Sequence, residues 1–108
     1  QFITPEQDES VRANSKNGLA EVYMLQKSWD KAAIEVNQAR SILEPNKGPN
    51  LNESYALLGR IKIEENDLDS ALFFLRLSER LSVKNNKKVE LIKVFHYYSI
   101  LYSIKSNT

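Results

Sequence analysis

The chain contains no cysteine, one histidine and one tryptophan among its 108 residues, and only three glycines and three prolines. Without cysteine, disulfides, thiolate metal sites and cysteine nucleophiles are all excluded. With a single histidine, His96, a zinc site or a thiol mechanism lacks its partners, and a general base would lack a visible orienting acid. His96 reads as an ordinary residue on a helix face. No G-x-G-x-x-G and no P-loop occurs, since Gly18, Gly48 and Gly59 are scattered. Glu64, Glu65, Asp67 and Asp69 make an acidic turn, but no glycine-containing calcium loop follows, and helix-capping aspartates explain it better. No cofactor or metal is expected, and no enzyme activity.

Long apolar runs are absent too. The nearest approach, "VFHYYSILYSI", is broken by His96, Ser99 and Ser103, short of the roughly 18–20 apolar residues that span a bilayer. The start, "QFITPEQDES", has neither a basic nor an apolar region and is not a signal peptide. It opens with Gln1 rather than methionine, so the chain is expected to be a piece of a longer protein.

Charge is balanced overall, at +1, but not along the chain. Residues 1–75 hold eight Lys/Arg against twelve Asp/Glu, a balance of −4; residues 76–108 hold seven against two, a balance of +5. A basic end could prefer an acidic partner, although a solvated face with an accidental bias is the better reading. Arg76, Arg80, Lys84, Lys87, Lys88 and Lys93 do not amount to a nucleic-acid binder, because the pI of about 8.1 is below that of dedicated binders.

A 42% apolar content suffices for a core, and its spacing is helical throughout. In "TPEQ", Thr4 is an N-cap, Pro5 opens a helix and Gln7 completes a capping box. That helix is predicted over 5–26, with Val11, Ser15, Leu19, Val22 and Tyr23 as its buried stripe and a potential break at 14–17. A second is predicted over 30–43, with Ala33, Val36, Ala39, Ile42 and Leu43 inward. "EPNKGPN", with two prolines and a glycine, stops it. Three more are predicted over 51–65, 68–83 and 89–106, the first of these carrying Tyr55, Leu58, Ile61 and potentially Lys62 at helical spacing. The last is apolar nearly all round and wants cover on more than one side. No segment alternates like a half-buried strand, so the fold is all-α.

The chain also repeats itself. "ENDLDSALFFL" (65–75) echoes "QKSWDKAAIEV" (26–36) when Ala71 is set over Ala32. Small residues Ala20, Gly59 and Ser99 recur about every forty places in the first helix of each unit, with Ala32 and Ala71 twelve residues downstream. Side chains this small let two helices approach closely. The units are helix hairpins: about 5–44, 51–84 and an incomplete 88–108.

Leu19, Ala20, Tyr23, Ala32, Val36 and Ala39, then Tyr55, Leu58, Gly59, Ala71, Leu75 and Ser78, then Phe95, Tyr98, Ser99 and Tyr102, carry a resemblance to the tetratricopeptide repeat family, in its longer-repeat form found in bacterial signalling proteins. Lys62 and Val83 depart from the family's pattern, and Pro45 falls one place late. The resemblance implies stacked antiparallel hairpins, a short α-solenoid of about two and a half repeats. It implies a protein or peptide partner held on the side lined by the first helices. The positions it points to are Asn17, Glu21, Met24, Arg60, Ile63, Lys93, His96 and Tyr97, with Glu53, Ala56 and Ile100 beside them. Arg60 and Lys93 would meet acidic groups of the partner. The carboxylate clamp of chaperone-type members is not expected, because its places read Asn17, Glu21, Leu57, Lys93 and Tyr97, of which only Lys93 fits. The resemblance implies the sensor or regulatory region of a larger kinase or transcription regulator, with a lean toward an extracytoplasmic sensor. The alternative is a structural or oligomerisation segment that pairs through the last helix.

Overall fold

The computed structural model describes residues 4–107. They form five helices: α1 (Pro5–Leu25), α2 (Trp29–Leu43), α3 (Leu51–Glu64), α4 (Leu68–Lys84) and α5 (Lys88–Ser106). Among the described residues there is no strand, and the fold is an all-α helical repeat. Each predicted helix is present within a residue or so, and α1 runs unbroken through 14–17. The Gln7 side chain of the expected capping box lies outside the described residues.

Every turn uses the same device. Lys27, Lys47, Asn66 and Asn86 take left-handed φ values of 59°, 46°, 59° and 56°. Each lets the residue after it reach back to the helix just ended. Ser28 N–H donates to Tyr23 O at 2.8 Å, Gly48 to Leu43 O at 2.9 Å, Asp67 to Lys62 O at 2.9 Å and Lys87 to Ser82 O at 2.8 Å. These bonds satisfy carbonyls the helix leaves orphaned. Asparagine tolerates this backbone; lysine pays for it. At the next start, Asp67 accepts from Ser70 N–H at 3.2 Å and caps α4. Hydrogen bonding from the Ser70 side chain and backbone holds the Asp67 carboxyl below its ordinary range.

Helices α1 and α2 pack as one antiparallel pair and α3 and α4 as another, with α1, α3 and α5 side by side. The result is elongated, 55 × 29 × 21 Å. One core joins Ala13, Ala20, Ala32, Val36, Ala39 and Leu43 to Leu51, Tyr55, Leu57, Leu58 and Ile61. A second joins Ala56 and Ile63 to Ala71, Leu75, Val94 and Leu101. Helix α3 contributes to both, and most of its residues are buried. The small residues work as expected in the two complete hairpins. Ala20, Ala32 and Ala71 are fully buried, and a Cβ placed on Gly59 would lie 2.6 Å from Leu75 Cδ2 and 3.3 Å from Ala71 O.

Three expectations are corrected. In α1 the buried stripe is Ala13, Asn17 and Ala20, whereas Val11, Leu19 and Val22 are exposed and so is Ser15. Close approach of α2 selects the small residues, not the large ones. In α2 Ala32 is fully buried with Val36 and Ala39, whereas Ala33 and Ile42 lie at the margin. Ser99 is exposed, because no described helix packs against that side of α5, and only Val94 and Leu101 of α5 are buried.

Candidate functional site

The register of α1, α3 and α5 brings charged and aromatic residues together on one side. Glu21, Met24 and Leu25 of α1, Trp29 at the start of α2, Arg60 of α3 and Tyr97 of α5 line a cleft of about 240 Å³. The α1–α2 turn, tightened by Lys27, is what swings Trp29 into it. The Arg60 guanidinium lies over the Trp29 ring, 5.0 Å from its centroid, an attraction of cation to ring face. Its Nη1 is 2.9 Å from Glu64 Oε1, yet off the N–H axis, so the ion pair leaves this shielded donor without an aligned acceptor. Such a group gains from an incoming oxygen.

Beside the cleft a charge network ties all three helices. Lys93 Nζ on α5 donates to Glu21 Oε2 on α1 at 3.0 Å. Glu53 on α3 joins them. Burial, and a hydrogen bond shared with Glu21, push its carboxyl up to about 7, against the opposing pull of Lys93. Burial, the largest influence, would lower the Lys93 ammonium, but the bond to Glu21 and the charges of Glu21, Tyr97 and Glu53 together hold it above its ordinary range. Burial also raises the Tyr97 hydroxyl, with Lys93 opposing. With its carboxyl at about 7, Glu53 is partly protonated near neutral pH, which eases its burial beside the Glu21–Lys93 pair.

The structure thus gathers Glu21, Met24, Arg60 and Tyr97 round one cleft, with Lys93 and Glu53 adjoining. His96 is exposed next to them, its ring 6.0 Å from that of Tyr97. Asn17 and Ile63 belong inside. Asn17 is fully buried, accepting from Ser54 Oγ at 3.0 Å while its Nδ2 has no partner. Ile63 lies in the second core, as does Ala56, and Ile100 leans on it. One step along a helix is about 100° of rotation, enough to carry such neighbours from groove to core. Spacing alone did not point to Trp29 or Leu25; the signal available was a lone tryptophan at a turn. Both expected partner-binding cations, Arg60 and Lys93, already hold carboxylates of this chain.

Another hollow of about 400 Å³ lies between the 44–50 loop and α4, lined by Leu51, Leu77 and Leu81 with Lys47, Arg80 and Lys84 among its walls. Among the described residues no group of three His, Asp or Glu could hold a metal ion, and no helix is long and apolar enough to cross a membrane.

Compared with known proteins, the chain matches no family model, no curated protein and no solved structure.

Proposed function

We propose that this chain is a non-catalytic interaction module of tetratricopeptide-repeat type that holds a peptide segment of another protein along α1, α3 and α5. The single observation that carries this reading is the cleft in which Glu21, Met24, Trp29, Arg60 and Tyr97 converge from four helices. Its size, about 240 Å³, is below the roughly 300–1,000 Å³ of small-molecule sites, and suits one or two side chains of a longer ligand. Its walls combine an apolar part, Met24, Leu25 and Trp29, with Arg60 and Tyr97 as polar fixtures, the mixture that anchors peptides. An acidic or amide side chain entering over Met24 would find the Arg60 donor that Glu64 leaves unmet. It would have to share Arg60 with Glu64, which favours modest affinity. The wider role consistent with the resemblance is that of a sensor or regulatory region in a larger bacterial signalling protein.

Trp29 is the chain's one tryptophan, so the cleft carries its own reporter. A peptide array probed with the purified chain, followed by fluorescence titration of each hit, tests the reading. Peptides that bind should shift or quench Trp29 emission, and Arg60→Glu should weaken them. Hits that leave Trp29 emission and Arg60→Glu binding unchanged would place recognition elsewhere and overturn the proposal.

A further inference from the structure

Along α5 runs an exposed stripe, in which the Phe95 and Tyr102 rings meet that of Tyr98 on their own helix. Val89, Ile92, Phe95 and Tyr102 are 72%, 70%, 53% and 50% exposed, with Ser99 exposed between the last two. A contiguous apolar strip of this kind on a helix marks an interaction surface.

The repeat says what such a strip receives. Forty residues earlier, Ile92, Phe95 and Ser99 correspond to Asn52, Tyr55 and Gly59 of α3, and all three meet α4. Asn52 Nδ2 donates to Ser82 Oγ at 3.2 Å and its carbonyl accepts from Ser78 Oγ at 2.7 Å. Tyr55 stacks on Phe74 at 6.1 Å. Gly59 lies against Leu75 and Ala71. Thirty-nine residues earlier again, Lys16 of α1 pairs with Glu35 of α2 at 3.8 Å, and Ala13 and Ala20 share a core with Ala32, Val36 and Ala39. The stripe on α5 therefore continues a face that twice already holds an antiparallel helix.

The two helices so held present one pattern. In α2 the fully or nearly fully buried residues are Ala32, Val36, Ala39 and Leu43, and in α4 they are Ala71, Leu75, Ser78 and Ser82. Each steps by four, three and four: small, branched aliphatic, small, and a last contact. The small residue lets the backbones approach, and the aliphatic one covers the small position opposite.

We infer that the open face of α5 docks one more antiparallel amphipathic helix, from a partner segment carrying this small–aliphatic–small pattern, with its aliphatic residue seated on Ser99 between Phe95 and Tyr102. Ser99 takes the place of Gly59, and Phe95 that of Tyr55 as the aromatic wall.

Two synthetic peptides test this directly: residues 28–44 and 66–86 of the chain itself, which carry the pattern and, without a face to pack on, should hold only part of their helix in water. Added to the intact chain, at least one should gain helicity by circular dichroism and bind by calorimetry. A version with the aliphatic residue replaced by Asp should not. Ser99→Trp, a change at an exposed position, should weaken binding about tenfold or more by filling the seat. Phe95→Ala should weaken it independently, with circular dichroism of each variant confirming that the fold is kept. Arg60→Glu should leave this binding unchanged, so failure here is distinct from failure of the cleft. Absence of binding by both peptides at millimolar concentration would overturn the inference. So would self-association of the chain that Phe95→Ala abolishes and neither peptide competes, since the occupant would then be a second copy.

Discussion

Gly59 offers the sharpest mutational test of how the hairpins are held. A methyl group at this position would sit 2.6 Å from Leu75 Cδ2, 2.7 Å from Leu75 Cγ and 3.3 Å from Ala71 O. Ordinary carbon contacts need about 3.5–4.0 Å, so the shortfall is close to 1 Å. Leu75 is fully buried and cannot swing into water; either its rotamer strains or α3 and α4 part. Overpacking of this kind costs about 1–3 kcal/mol. Replacing a mid-helix glycine by alanine returns about 1 kcal/mol of helix propensity. Gly59→Ala should therefore come out destabilised by about 0–2 kcal/mol. Gly18 supplies the control, because a Cβ there meets nothing within 4 Å, and Gly18→Ala should gain about 0.5–1 kcal/mol. The propensity contribution is common to both, so the difference between the two variants, about 1–3 kcal/mol, isolates the clash. Urea unfolding followed by circular dichroism reads it. Leu75→Ala should cost about 2–5 kcal/mol, and in that background Gly59→Ala should turn stabilising, because the obstacle is gone. Equal stabilities for Gly59→Ala and Gly18→Ala, or simple additivity with Leu75→Ala, would refute the close-contact argument.

Glu53 makes stability depend on pH. Its carboxyl lies at about 7 in the folded chain against an ordinary value of 4.5, so the folded state holds the extra proton. The contribution is complete below about 4.5 and is lost as pH rises toward 7. With solvent screening it amounts to on the order of 1 kcal/mol. Glu53→Gln should flatten the loss of urea stability between pH 4.5 and 7; an unchanged profile would contradict the assignment. Lys27 holds a φ of 59° where the equivalent turns use Asn66 and Asn86. Lys27→Asn should raise stability by about 0.5 kcal/mol, and a lowered urea midpoint would count against the turn geometry. Asn17→Ala strands the Ser54 hydroxyl in the core and should cost about 1–3 kcal/mol. Adding Ser54→Ala should recover part of that loss, and no recovery would mean that the pair is not coupled.

Helix limits were legible because Pro5, the "EPNKGPN" segment and the polar turns act locally, through backbone restriction and orphaned hydrogen bonds. The hairpin register was legible in Ala20, Ala32, Gly59 and Ala71 for a packing reason: only small residues allow the approach. The inward face of α1 was misread because Val11, Leu19 and Val22 are larger and more apolar than Ala13, Asn17 and Ala20. Burial here follows distance to α2 rather than hydrophobicity. Leu19 adds a second cause: its repeat equivalent Leu58 is buried against the preceding hairpin, while among the described residues no earlier hairpin covers Leu19. Of the cleft, Glu21, Met24, Arg60 and Tyr97 were pointed to by the family resemblance, not by periodicity alone. Trp29 was not, as it enters from a turn whose direction is set by the left-handed Lys27. Nor was the raised Glu53 carboxyl, which depends on three helices converging.

The claim that recognition takes place along α1, α3 and α5 is tested most directly by mapping NMR shift changes when a peptide selected from the array is added. The account predicts that the largest changes fall at the Trp29 indole and at Glu21, Met24, Arg60 and Tyr97. Changes confined to the hollow around Lys47, Arg80 and Lys84, with the Trp29 indole unmoved, would contradict it.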